Sequence, residues 1–178
     1  VWEGKGKRER EELLKKVFTD LNPSIGYQHL RALVENGYIS TIITTNVDML
    51  LDKCFEGLSY RKRVGGNHYI VIGEHPSFDL IKAHGDIENG ELRFSPDELV
   101  KLPDDLQKDI AEKTRGTVIV VGYRGQDAGF MNSLNSSEGY AAYWAPILIP
   151  LKQSQISCIT VIPSVIICAA HMVILIIY

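Results

Sequence analysis

Cysteine is scarce in this 178-residue chain, and the three present, Cys54, Cys158 and Cys168, are widely separated with no C-x-x-C pair among them. That spacing suggests neither a zinc knuckle nor a disulfide framework, and a reducing, cytoplasmic compartment fits it best. A dominant charge is lacking as well: 19 Lys and Arg stand against 22 Asp and Glu, a net charge of -3. The basic clusters Lys5-Gly6-Lys7-Arg8 and Arg61-Lys62-Arg63 are short, so the electrostatic footprint of a phosphate-backbone binder is missing and nucleic acid is not an expected partner. Neither G-x-G-x-x-G nor a P-loop occurs. The chain opens without an apolar run, Val1-Trp2-Glu3-Gly4-Lys5 leading into Arg8-Glu9-Arg10-Glu11-Glu12, which reads as a charged helix and not as a signal peptide. Val in place of Met at the first position leads us to expect an upstream segment.

What is present is ordinary for one soluble domain, 45% hydrophobic and 23% charged residues, arranged as alternating helical and strand patterns. Lys7 to Thr19 reads as an amphipathic helix with Leu13, Leu14, Val17 and Phe18 on one face. Asn22-Pro23 reads as an N-cap and first-turn proline of a second helix that carries Ile25, His29, Leu30 and Leu33 and stops at Asn36-Gly37. A strand from Tyr38 to Thr44 follows, then a helix over Met49 to Phe55 ended by Gly57, then an apolar run from Tyr69 to Ile72. Pro76 precedes the strand that leads to His84. Ser95-Pro96-Asp97-Glu98 opens a short helix, and Leu106 to Lys113 makes another. A strand from Thr117 to Val121 and a run near Ala141 to Trp144 complete the alternation, which predicts a doubly wound α/β fold with a parallel sheet.

We divide the chain into a domain over residues 1–150 and a hydrophobic tail over 151–178. From Gln153 to Tyr178 there is no charged residue in 26 positions. Three readings account for that composition: a transmembrane anchor over Ile156 to Tyr178, buried strands completing the sheet, or a non-native ending such as a shifted reading frame. A membrane is an expected partner only under the first.

Three apolar runs end in clusters of Asn, Asp, His or Gly: Ile42-Ile43 in Thr44-Thr45-Asn46-Val47-Asp48, Leu80-Ile81 in Lys82-Ala83-His84-Gly85-Asp86, and Val120-Val121 in Gly122-Tyr123-Arg124-Gly125-Gln126-Asp127. In an open α/β sheet, ligands bind outside the carboxyl ends of the strands, so such clusters converge there although distant in sequence. The Asn46 amide can both donate and accept, and Asp48 can accept from an amide or hydroxyl, although either residue also suits the cap of the next helix. His84 can act as a general base near neutral pH, beside a Gly85 that lets backbone approach a ligand; a histidine satisfied in a turn is the plainer alternative. Gly122, Tyr123 and Arg124 could offer backbone N–H groups and a cation to a phosphate or ribose. No second His or Cys stands at ligand spacing from His84, His68 and His75 flanking a predicted strand instead, so no metal is expected. Ser136 and Ser137 lack a base within evident reach, which leaves a hydrolase triad unsupported.

Taken together, Pro23 with His29 and the three clusters, in this order and spacing, resemble the SIR2-like (sirtuin-fold) family in its zinc-free prokaryotic branch, over about Asn22 to Trp144. The resemblance implies a Rossmann-like domain that takes NAD as substrate and breaks the nicotinamide–ribose bond. Asn46 would hold the nicotinamide ribose or the attacking water, Asp48 the carboxamide, and His84 would be the base, making these three the expected catalytic set. Thr44, Thr45, Asn46, Asp48, Gly122, Tyr123 and Arg124 would bind the nucleotide. The family's first strand and Gly-Ala-Gly phosphate loop are not found, since Gly4-Lys5-Gly6-Lys7 precedes a charged helix. An NAD glycohydrolase, as in nucleotide-depleting bacterial defence effectors, is the implied activity; an NAD-dependent protein deacylase and a non-catalytic NAD- or ADP-ribose-binding fragment are the alternatives. A second copy of the chain or a sensor domain is the implied protein partner.

Overall fold

In the computed structural model of the chain, the described residues are 6–18, 20–89, 91–93, 95–121, 127–135, 141–145 and 172–176. Two helices, α1 (Lys7–Phe18) and α2 (Ile25–Glu35), precede strand β1 (Ile39–Thr44) and helix α3 (Leu50–Cys54). Strands β2 (Tyr60–Val64), β3 (Ile70–Ile72) and β4 (Asp79–Lys82) follow, then helices α4 (Pro96–Leu99) and α5 (Asp104–Lys113). Strand β5 (Thr117–Val121), helix α6 (Ala128–Asn135), and strands β6 (Ala141–Ala145) and β7 (Met172–Ile176) complete the order.

The seven strands form one sheet in the order β3-β2-β4-β1-β7-β5-β6. Every neighbouring pair is parallel except β2 with the edge strand β3. Alternation along the strands gives the sheet two buried faces. Ile43, Ile81, Val118 and Val120 point to one, where Leu106 and Ile110 of α5 and Phe130 and Leu134 of α6 pack on them. Ile42 and Leu80, each one residue earlier on its strand, point to the other, against Tyr27, Leu30 and Val34 of α2 and Leu51 and Cys54 of α3. Phe55, Tyr60 and Phe78 join that second core as a ring cluster, with Tyr60 stacked on Phe78 at 5.0 Å and Phe55 edge-on at 4.9 Å. Helices on both faces of a mainly parallel sheet make this a doubly wound, Rossmann-like α/β fold.

The local signals act as the sequence suggests at several ends and differ at others. At α4 the capping box is complete: Ser95 Oγ accepts from the Glu98 N–H and Glu98 Oε2 accepts from the Ser95 N–H at 3.1 Å. At α2 the N-cap is Ser24 and not Asn22, because the chain turns into the helix only after Pro23. Strand β2 and helix α6 were not read from sequence. Strand β2 carries the short basic cluster Arg61-Lys62-Arg63, which shows no apolar alternation, yet Lys62 and Arg63 are buried. In the tail, Met172–Ile176 pairs parallel with both β1 and β5, so these five residues are a sheet strand. Among the described residues no helix is long and apolar enough to cross a membrane.

Candidate functional site

Strand register sets the site. Thr44 lies opposite Lys82 across β1 and β4, Thr44 opposite Ile176 across β1 and β7, and Val121 opposite Ile176 across β5 and β7. The segments that leave β1, β4 and β5 therefore emerge at one level of the carboxyl edge. This edge is also where the chain order reverses, β4 and β2 lying to one side of β1 and β5 and β6 to the other, with β7 between. Such a switch point is where doubly wound sheets hold their ligands.

The first two segments are joined directly by backbone bonds. Ala83 donates its N–H to the Thr44 carbonyl at 2.8 Å, and Ile87 donates to the Val47 carbonyl at 3.0 Å. Thr44 is fully buried, and its Oγ1 accepts from the Asn46 N–H at 3.0 Å, so this hydroxyl shapes the loop that carries Asn46. Asp48 is buried and its Oδ1 accepts from the Leu50 N–H at 2.9 Å, which fixes the entry to α3. Thr45 and Asn46 are half-buried at the rim.

A turn after β4 presents His84. Gly85 sits at φ +87°, a conformation that side-chain-bearing residues adopt at a cost, and donates its N–H back to the Lys82 carbonyl at 3.2 Å. The His84 carbonyl accepts from the Arg93 N–H at 2.9 Å, fixing the backbone from the other side. The imidazole is mostly buried, and its Nε2 meets Oδ2 of Asp127. Asp127 is placed by its own helix: it stands just before α6, and its Oδ1 accepts from the Phe130 N–H at 3.1 Å. The third segment thus reaches the site through Asp127, whereas Gly122, Tyr123 and Arg124 lie outside the described residues.

Beneath these groups lies a buried quartet of charges. Lys62 Nζ is 2.5 Å from Asp52 Oδ1 and 2.8 Å from Asp86 Oδ2, and Lys82 Nζ is 3.0 Å from Asp52 Oδ2 and 3.6 Å from Asp86 Oδ2. Two cations face two anions, so the cluster is neutral as a whole. Lys82 also donates to the Asp48 carbonyl at 2.5 Å, which ties the quartet to the loop carrying Asn46 and Asp48. Asp86 Oδ1 accepts from the Glu88 and Asn89 N–H groups at 3.0 and 2.6 Å. Burial opposes ionisation of Asp86, but the Lys82 charge and hydrogen bonds from Lys62 and Asn89 outweigh it and hold the carboxyl at about 2. Burial likewise disfavours the Lys62 charge, and Asp52 and Asp86 reverse the balance and raise its pKa.

A cleft of about 550 Å³ opens at the opposite, amino edge, lined by Arg61, Asp79 and Lys113 among others. Its chemistry is self-contained. Arg61 holds the Asp79 carboxylate with two hydrogen bonds of 2.6 and 2.7 Å, and Lys113 lies 2.5 Å from the same group. The carboxyl edge carries the imidazole and the loop of Asn46 and Asp48, and it is the edge where doubly wound sheets hold their ligands.

Of the residues expected from sequence, the structure brings Thr44, Thr45, Asn46, Asp48 and His84 to one edge. His29 stands exposed on α2. Sequence reasoning gave no role to Asp127, Lys62, Lys82, Asp52 or Asp86. Lys82 and Asp86 stand four residues apart within the His84 cluster, and Asp127 precedes an Ala-Gly-Phe helix start, which are the signals that point to them. Among the described residues no group of three or more His, Cys, Asp and Glu side chains is placed to hold a metal ion.

No curated protein matches the chain at a significant level. The family model of the SIR2-like domain matches residues 40–145, from the second residue of β1 to the end of β6. The match spans all three carboxyl-edge segments and more than half of the chain, which therefore belongs to the SIR2-like domain family.

Proposed function

We propose that this chain cleaves the nicotinamide–ribose bond of NAD and transfers the ADP-ribosyl group to water. The observation that carries the reading is the convergence of Asn46, Asp48 and a mostly buried His84 at the switch point of the sheet, in a chain of the SIR2-like family. In this reaction the bond between ribose C1′ and the pyridinium nitrogen breaks, its electron pair leaving with a neutral nicotinamide. Little acid assistance is needed, because the leaving group already carries the positive charge. Cationic character then develops on the ribose, as in other glycosyl transfers. Asn46 orients the ribose hydroxyl or the water, Asp48 accepts from the nicotinamide carboxamide, and His84 takes the proton the water loses as its oxygen bonds to C1′. Thr44 and Thr45 shape the rim of the nucleotide site. Gly122, Tyr123 and Arg124 are assigned to nucleotide binding by the family resemblance alone.

The chain's three scattered cysteines support hydrolysis over deacylation, since they supply no paired-cysteine zinc module of the kind that helps form an acyl-lysine cleft. Incubation with NAD, with and without an acetyl-lysine peptide, followed by chromatographic separation of products, tests the proposal. Nicotinamide and free ADP-ribose formed without the peptide, and lost in His84→Ala and Asn46→Ala, are expected. Release that requires the peptide and yields an acylated ADP-ribose would replace the reading with a deacylase, and NAD binding without any release would replace it with a binding domain.

A further inference from the structure

We propose that Asp127 is the positioning residue for His84, holding the imidazole in its Nε2–H form so that Nδ1 is the atom that exchanges protons with the ligand. This rests on the reading of His84 as the base. Nε2 is buried without contact to solvent and meets Oδ2 of Asp127. The side chain keeps 9% of its exposure, and with Nε2 sealed that exposure belongs to its other atoms. An ionised carboxylate only accepts, so the nitrogen facing it carries the hydrogen. The other nitrogen of a neutral imidazole is then the acceptor. A carboxylate that fixes tautomer and ring orientation in this way is a recurring partner of catalytic histidines.

Asp127 is suited to this because its two oxygens do separate work. Oδ1 takes the Phe130 N–H at the first turn of α6, which anchors the carboxylate and its direction to a helix packed on the core through Phe130 and Leu134. Oδ2 is thereby aimed at Nε2. The helix start places a further partial positive charge beside the carboxylate. His84 is held independently from below by the turn at Gly85 and by the bond from Arg93. Two rigid elements, from segments more than forty residues apart in sequence, therefore meet at a single imidazole–carboxylate contact.

The two functions of Asp127 can be separated. Ser and Asn both cap helices, so Asp127→Ser keeps an acceptor for the Phe130 N–H but withdraws the carboxylate from the ring, and Asp127→Asn keeps the size of the side chain but removes its charge. Proton–nitrogen NMR of the histidine-labelled chain, with the His84 signals assigned by their loss in His84→Gln, reads the result directly. The wild type should show His84 in the Nε2–H form with a slowly exchanging, downfield proton on Nε2. That proton should be lost in Asp127→Ser and move upfield in Asp127→Asn. An Nδ1–H ring in the wild type, or an Nε2 proton unaffected by both substitutions, would overturn the proposal. Where NAD is cleaved, kcat should fall at least about tenfold in either variant, within the range of about 10²- to 10⁴-fold that a general base contributes, while KM changes little. A wild type that cleaves no NAD would sink the catalytic reading alone, because the NMR comparison still decides the pairing.

Discussion

Replacing Asp86 by Asn leaves the buried quartet with two cations facing one anion. Asp86 is fully buried, and the isosteric amide can still accept from the Glu88 and Asn89 N–H groups, so the perturbation is chiefly electrostatic. Held at about 2 instead of the ordinary 3.8, the Asp86 carboxylate is favoured as an ion in the folded protein by about 2 kcal/mol. Removing one partner of a buried pair also strands the other, which brings the expected loss to about 3 to 5 kcal/mol. Urea unfolding followed by circular dichroism measures it as a lower midpoint at unchanged slope. A second substitution, Lys62→Met, restores balance by leaving Lys82 with Asp52, so the double variant should be less destabilised than the sum of the two single ones. Additive losses, or an Asp86→Asn cost below about 1 kcal/mol, would refute the description of the quartet as one coupled unit. The pH dependence has a definite sign: the folded-state pKa of Asp86 is depressed, so its contribution is complete above 3.8 and disappears as the pH falls toward about 2.

Three other outcomes are expected. Gly85→Ala, forcing a Cβ into φ +87°, should cost about 1 to 2 kcal/mol by thermal or urea unfolding and displace His84, lowering activity more than stability alone explains. Phe130→Ala, at a fully buried side chain of the α5–α6 core, should cost about 3 to 5 kcal/mol and loosen the helix that aims Asp127. Burial raises the Cys54 thiol above its ordinary pKa of 9.0, so alkylation of Cys54 in the native chain at neutral pH should be far slower than in urea; equal rates would contradict its placement under α2.

The alternation of elements and the carboxyl-edge clusters were legible because they depend on local rules. A run such as Ser40 to Thr44 followed by Asn and Asp is a buried strand and a βα turn whichever strands it later joins. Strand β2 was not legible, because its Lys62 and Arg63 read as solvent-facing until the sheet supplies Asp52, Asp86, Asp105 and Asp109 as partners. Buried charges are a tertiary property, and no window of sequence contains both members of such pairs. The place of β7 was illegible for a related reason: an uncharged Ile- and Val-rich segment suits a membrane, a core strand or an accidental ending equally. Only pairing of Met172–Ile176 between β1 and β5 separates these for the five residues involved. The role of Asp127 was not legible, since its partner His84 is remote in sequence and meets it only through the shared register of the strand ends.

Nicotinamide release from NAD by the chain, compared with His84→Ala under the same conditions, tests the central claim most directly. The account predicts release by the wild type and its loss in the variant, with both proteins still unfolding in one cooperative transition. Equal release by both, or none by a wild type that is folded, would contradict it.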